Sequence, residues 1–444
     1  MCDLCRAERL TEWFHEDDDC WIAECTICAT PMVVWKVHDA SPPAEVLDRL
    51  HARLAESSVP TSSSSTTSTT TCAASPTTTT PTPDRWVASS AMGCAGARRN
   101  LPPMLGSSTT VLIDPLFDDA GALAIVELAK QTERYRTYSS HEKIESAIGR
   151  GLAQRHDSVR NFLKTGGRHN RTDLATADLG ARTSYFREEY AYDGAALTPG
   201  IEPFLHHPAL LDAARQVHER PVIVPSIAYA NVMLPGQELA VHTDVPEYRG
   251  LNRKGVPQWL LVVMHHSGLF DAWRLPIATG VSWFSDGPGG ELSLWPDGAD
   301  GPCMVNPAGA NTALVLDTDT LFHGVDPVGG DHVPPPPVTG DAELIRQPDA
   351  KWLLVDAGTG EERATYDWDE LRLSVSWKAY CFVDDAESDA WRTHDDDLTE
   401  PQVLDRLVAD LRDRGVIDGA PERDGALGLT LIDTYVRYPG ALAS

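Results

Sequence analysis

The sequence predicts a mainly β protein with flanking helices, an α+β chain, and three stretches carry that prediction. Tyr229 to Asp244, YANVMLPGQELAVHTD, reads as a strand, a turn at Pro235-Gly236 and a second strand. ALVLDTDTLFHGVDPV brings His323 at the end of an apolar strand, and LRLSVSWKAYCF opens a further strand at Arg372. Helical spacing appears before these strands, in AGALAIVELAKQTERY and HHPALLDAARQVHER, and again after them.

Side chains alternate along a strand, so His242 and Asp244 project from the same face, as do Arg372 and Ser374. With the distant His323, two imidazoles and one carboxylate form a donor set suited to non-haem Fe(II), with coordination positions left open. An arginine beyond the last ligand suits a bidentate grip on a carboxylate.

These residues resemble the Fe(II)/2-oxoglutarate-dependent dioxygenases. Asn231, Gly236, Leu239, His242 and Asp244 keep a spacing seen in alkylated-base dioxygenases and partly in prolyl hydroxylases. GGELSLWPDG, Gly289 to Gly298, looks like the family's central strand after a Gly-Gly turn. His323 matches the distal ligand, and Arg372-Leu373-Ser374 matches the R-x-S element that holds the far carboxylate of 2-oxoglutarate. The resemblance spans residues 200 to 385. It implies a double-stranded β-helix (jelly roll), Fe(II) on His242, Asp244 and His323, and 2-oxoglutarate on Arg372 and Ser374. It also implies oxidation of a substrate C–H bond by O2 with release of succinate and CO2, which makes the chain a 2-oxoglutarate-dependent dioxygenase, an oxidoreductase. Met233 stands where the family commonly has Tyr, which assigns Tyr229 or Asn231 to the co-substrate instead. The gap from His323 to Arg372 is long, so 326–370 reads as an insertion, with Arg346 and Arg363 as rival anchors inside it. The metal-binding cupins carry several close histidines and a Glu; only Asp244 and Glu247 follow one His here. A halogenase would lack the carboxylate that Asp244 supplies.

The chain has 444 residues and a net charge of −28, which opposes broad phosphate contacts and disfavours nucleic acid. No apolar run reaches the length of a membrane span, and MCDLCRAERL lacks a signal peptide's layout, so cytoplasmic residence is expected.

Residues 1–56 read as a small N-terminal zinc-knuckle module. Cys2-x-x-Cys5 and Cys25-x-x-Cys28 are two knuckles able to give four thiolates to one structural Zn(II), with Cys20, His15 and His38 in reserve. The same stretch has a likeness to the start of the histidine-triad nucleotide hydrolases, in its early C-x-x-C, HEDD and PMVVWKVH. Their H-x-H-x-H is absent from this chain, so that activity is not carried over. PPAEVLDRLHARLAE has the spacing of a short helix. Residues 57–99 form a linker, Ser/Thr/Pro-rich to 83, that cannot bury enough apolar surface to order itself.

Residues 100–444 form the oxygenase domain. TTVLIDP reads as a strand, and HEKIESAIGRGLAQ and SVRNFLKTG as helices, with Leu123, Val126, Leu128 and Ile144 expected in the core. The loop VPEYRGLNRKGVPQ follows the first metal ligands, so Arg249, Arg253 and Lys254 are placed near the barrel mouth. WLLVVMHHSGLF reads as a strand, on which at most one of His265 and His266 looks inward. KWLLVDAGTGEERATYDWDE reads as a hairpin around Gly358 and Gly360, either a lid or a surface decoration. Thr399 with Gln402 reads as the start of a helix over 399–414, ended by Gly415.

Two readings of different class result. The first is an Fe(II)/2-oxoglutarate dioxygenase hydroxylating a small-molecule or peptidyl substrate. The alternative is a non-catalytic metal-binding jelly roll whose zinc module recruits a protein partner.

Overall fold

The computed structural model describes the backbone of residues 11–17, 20–25 and 31–35. From 110 to 439 it describes all residues except 138–146, 168, 170, 172–175, 307, 308, 340 and 395. Thr11–Asp17, Cys20–Cys25 and Pro31–Trp35 form a three-stranded antiparallel sheet. The four cysteine side chains of the zinc prediction, the helix expected after them, the Ser/Thr linker and Ile144 lie outside the described residues.

Eight strands build the central barrel: β1 (Val222–Met233), β2 (Leu239–His242), β3 (Ile277–Trp283), β4 (Leu292–Trp295), β5 (Met304–Asn306), β6 (Thr312–Leu316), β7 (Phe322–Val325) and β8 (Arg372–Phe382). One sheet contains the order β1-β8-β3-β6 and the other the order β2-β7-β4-β5, all antiparallel. This alternation of the chain between two sheets is the double-stranded β-helix, so the predicted jelly roll is present. The large sheet grows to eleven strands through additions at both edges.

Alternation along β8 divides two environments. Leu373, Val375, Trp377 and Ala379 join Ala228, Ala230 and Val232 in the core on the outer face of the large sheet. Among the helices, α1 (Asp119–Gln131), α2 (His156–Thr165) and α3 (Pro208–His218) precede the barrel; α3 packs on β3, β6 and β8, as expected for helices outside it. Between the two sheets, Met233, Trp283, Leu292, Leu294, Leu314 and Leu316 form a second apolar cluster. The polar face of β8, from Arg372 to Lys378, looks into this interior.

A third core is helical. It joins α4 (Gln258–Ser267), α5 (Glu400–Asp413) and α6 (Gly425–Tyr435), with Trp259, Leu260, Leu404, Leu407 and Leu431 buried. The Thr399–Gln402 capping box starts α5 as expected.

Two expectations need correction and a third is extended. WLLVVMHHS is helix α4, not a strand. An apolar run buried all round has no period to distinguish the two states. Here eight consecutive residues, Gln258 to His265, are buried, Pro257 precedes the helix, and Gly268 ends it in the left-handed region. Leu123 is exposed; α1 buries Ile125 and Ala129 instead, while Val126 and Leu128 are partly buried. The 326–370 segment contributes three strands, Ala342–Arg346, Trp352–Asp356 and Glu362–Tyr366. The last two pair antiparallel as the expected hairpin around Gly358 and Gly360, and all three extend the large sheet through Arg134–Thr137. Trp352 is buried with its ring 5.4 Å from that of Tyr135, which anchors the segment in the core.

Candidate metal centre

Strands β2 and β7 are paired so that His242 stands directly opposite His323, with ring centroids 4.2 Å apart. Asp244 lies just beyond β2 and is fixed by its backbone N–H, which donates to Thr318 O at 2.8 Å. Its Oδ1 is 3.4 Å from His242 Nε2 and 3.6 Å from His323 Nε2. One donor atom from each of the three residues lies within 4.8 Å of the others; among the described residues this is the one such cluster.

The surrounding groups orient these donors. His242 Nδ1–H donates to Ala240 O at 2.7 Å, and His323 Nδ1–H to Leu321 O at 2.9 Å. Each bond selects the tautomer whose Nε2 lone pair is available to a metal. Asp244 Oδ2 accepts from Lys378 Nζ at 2.6 Å and from Thr318 Oγ1 at 2.7 Å, and Thr318 is bonded to Thr279 Oγ1 at 2.7 Å. With Oδ2 occupied, Oδ1 is the oxygen facing the histidines. Burial, with the neighbouring His323 second, pushes His242 down to about 4, which keeps its ring neutral. Burial works against the charged form of Asp244, yet Lys378 beside it holds the carboxyl well below the usual range. Two imidazoles with Nε2 turned to the cluster and an ionised carboxylate, each held from behind, fit a divalent first-row metal.

Sequence reasoning missed Lys378 and Thr318. The signal for Lys378 was present: it stands six residues after Arg372 on the same face of a strand whose other face is apolar. A lysine there is buried and needs a counter-charge.

Arg372 opens β8 opposite Met233. Its Nε donates to Gly290 O at 3.0 Å, and Nη1 lies 3.4 Å from Ser374 Oγ and 3.5 Å from Met233 Sδ. Gly290 has φ +74°, and a Cβ there would stand 2.5 Å from Arg372 Cδ and Nε, so the glycine makes the channel the arginine lies in. Among the described residues no carboxylate lies within ion-pair distance of Arg372. Burial pushes the guanidinium down to about 10, with only Glu291 acting in the other direction. Of the rival anchors, Arg363 is tied to Glu361 and Asp356 in the sheet extension, and Arg346 sits there too.

The other predicted co-substrate residues divide. Asn231 is opposite Ser374 and donates from Nδ2 to Ser376 Oγ at 3.2 Å, a side-chain link between the neighbouring strands β1 and β8. Tyr229 lies nearer the mouth, in a cleft lined also by His242, Asp244 and Lys378. Of the three loop cations, Arg253 lines this cleft. Arg249 is paired with Asp396 through two hydrogen bonds, and Lys254 rests over the Tyr192 ring at 3.7 Å.

No protein-family model and no curated protein matches the chain. Similar solved structures include a 2OG-Fe(II) oxygenase family oxidoreductase from Burkholderia pseudomallei, 12% identical over 61% of this chain and 84% of that one, with a TM-score of 0.32. The viral collagen prolyl hydroxylase of Paramecium bursaria Chlorella virus-1 is 10% identical over 62% of this chain and 97% of its own, with a TM-score of 0.28. HygX from Streptomyces hygroscopicus, solved with nickel and 2-oxoglutarate, is 11% identical over 62% and 84%, with a TM-score of 0.30. The fold assignment rests on the strand order, and the site on its own geometry. The chain has a jelly-roll fold with a two-histidine, one-carboxylate cluster between β2 and β7 and a buried arginine at the start of β8.

Proposed function

We propose that this chain is an Fe(II)- and 2-oxoglutarate-dependent dioxygenase that hydroxylates a C–H bond of its substrate. The observation that carries the reading is the pairing of two separate sites in one barrel interior. One is a metal-ready His242–Asp244–His323 cluster; the other is a buried guanidinium, Arg372, with no carboxylate of the protein at ion-pair distance among the described residues. A buried charge without a partner is costly, so Arg372 calls for an anion from outside the chain. A metal alone would not explain it.

His242, Asp244 and His323 would hold iron on one side and leave the remaining positions for 2-oxoglutarate and O2. Arg372 would hold the distal carboxylate, helped by Ser374. When bound, iron and 2-oxoglutarate supply the oxidising chemistry, with succinate and CO2 as by-products. The chain's own work is positional. Lys378 and Thr318 occupy Asp244 Oδ2, which presents Oδ1 alone to the metal. The apolar cluster of Met233, Leu292, Leu294 and Leu314 closes one end of the interior against water, and the substrate enters from the cleft at the other end.

The test is succinate formation from 2-oxoglutarate by metal-stripped protein with Fe(II) added back, beside His242→Ala and Arg372→Ala. Succinate that requires iron and is lost in both variants supports the reading. Protein that binds iron but neither binds nor consumes 2-oxoglutarate is instead a non-catalytic metal-binding barrel.

A further inference from the structure

Two of the three donors of the metal cluster are oriented by one turn, the segment 317–321 that joins β6 to β7. Thr318 O accepts the Asp244 backbone N–H at 2.8 Å, and Thr318 Oγ1 donates to Asp244 Oδ2 at 2.7 Å. Leu321 O, three residues further on, accepts from His323 Nδ1 at 2.9 Å. A shift of this turn therefore moves Asp244 and His323 together, although they stand on different strands.

The turn is itself shaped by a carboxylate. Asp317 Oδ1 accepts from the backbone N–H of Asp319 at 3.1 Å and of Thr320 at 3.3 Å, and Asp317 O accepts from the Leu321 N–H at 3.1 Å. A carboxylate bonded to the backbone just after it is a local turn former. Arg274 holds that carboxylate, with Nη2 2.9 Å from Oδ1 and 2.8 Å from Oδ2. Arg274 lies on the short strand Arg274–Leu275, which precedes β3 and pairs with Glu247–Tyr248, just beyond Asp244. Strand β3 adds a second tie, from Thr279 Oγ1 to Thr318 Oγ1 at 2.7 Å. The other carboxylate nearby is Asp319, whose Oδ2 is 3.8 Å from Arg274 Nη2, too far for a hydrogen bond, and burial pushes it up to about 7. Asp317 is therefore the close partner of Arg274. Their side chains are only 13% and 15% exposed, so the pair is weakly screened by salt.

We propose that Arg274 is a positioning residue of the metal centre: through Asp317 it sets the turn 317–321, and through that turn it sets Asp244 and His323 together. This rests on the metal half of the dioxygenase reading and is independent of the co-substrate. Two consequences distinguish it from a surface ion pair. Metal affinity responds to a residue that acts on the ligands only through the turn; groups that orient metal ligands typically change affinity by about 10–100-fold when lost. Arg274 and Asp317 also act as one unit, so their substitutions are not additive.

The experiment titrates Co(II) into the metal-stripped full chain, with calorimetry for affinity and visible absorption for coordination geometry. Arg274→Gln and Asp317→Asn are each expected to weaken Co(II) binding about ten-fold and to change the absorption bands. The double variant should be no weaker than either single one. Asp317→Asn keeps an oxygen for the Asp319 and Thr320 N–H groups, so its loss reads the Arg274 contact rather than the turn itself. Arg274→Lys keeps the charge without the planar guanidinium and should recover part of the affinity. Leu404→Ala, a destabilised control in the helical core, should bind Co(II) like the wild type with the same bands, which separates positioning from general loss of stability. If Arg274→Gln does not fold, Asp317→Asn carries the test. Wild-type affinity and bands in the folded variants, additive losses in the double variant, or the same change in Leu404→Ala would each overturn the proposal. Wild-type protein that binds no Co(II) removes the metal reading itself, whereas equal Co(II) binding by wild type and variants removes only the role of Arg274.

Discussion

The barrel interior and the helical core of α4, α5 and α6 are built on opposite principles. In the helical core the contacts are apolar, with Trp259, Leu260, Leu404, Leu407 and Leu431 packed together. In the barrel interior, each charge is matched to a particular group: Lys378 to Asp244, and Arg372 to a carbonyl, a hydroxyl and a thioether but to no carboxylate among the described residues. The comparison separates stability from chemistry. The helical core should be costly to damage and indifferent to ligands, whereas parts of the interior should be cheap to damage and decisive for ligands.

The largest expected effect breaks the metal cluster. His242→Ala should reduce iron-dependent succinate formation to background while leaving the melting temperature nearly unchanged. Asp244→Ala should also remove activity but destabilise by about 3–5 kcal/mol, because Lys378 is then a buried charge without its partner. Denaturant unfolding of the two variants measures the difference, and equal stabilities would show that the Lys378–Asp244 pair is not coupled as the geometry implies.

Next is the helical core. Leu404→Ala or Leu431→Ala removes a buried side chain and should cost about 2–5 kcal/mol in urea unfolding. The affinity of the folded protein for 2-oxoglutarate should not change. A change comparable to that of an interior variant would mean that the two regions are one functional unit.

Arg372→Ala should weaken 2-oxoglutarate binding by about 1.5–3 kcal/mol, the range for hydrogen bonds to a charged group, with little loss of stability. Removing a buried cation that lacks a counter-charge is not expected to destabilise strongly. Tight 2-oxoglutarate binding by this variant would move the carboxylate anchor elsewhere.

The smallest effect is Gly290→Ala. The added Cβ overlaps Arg372 Cδ and Nε, and the positive φ is unfavourable for alanine. Affinity for 2-oxoglutarate should fall although no charge or hydrogen-bonding side chain is removed. If affinity is unaffected, Gly290 does not set the arginine's path.

The metal cluster was legible in the sequence because its information is local. The two-residue spacing of His242 and Asp244 puts them side by side, and His323 lies near the start of the strand that pairs with theirs. The Gly-Gly pair before β4 was legible as a turn, but its use in accommodating Arg372 depends on a contact across 82 residues of chain. The helix α4 was misread because its buried residues erase the periodicity that separates helix from strand. The hairpin within 326–370 was legible from Gly358 and Gly360. Its attachment to Arg134–Thr137 is a pairing between distant strands that neither segment encodes alone. Lys378 was passed over because a charge inside a strand gains its meaning from a partner on another element.

The hydrogen bonds that orient His242, Asp244 and His323 all end on protein groups: the backbone carbonyls of Ala240 and Leu321, the Thr318 carbonyl and hydroxyl, and Lys378. Folding therefore meets the entropy of ordering three side chains, about 1–2 kcal/mol for a rotamer-rich one, before any metal arrives. Metal binding is then a small increment of mass action on an already ordered site rather than a folding event. A chelator should lower the melting temperature only by the amount that the free metal concentration dictates, and returning the metal should restore the site without refolding the barrel.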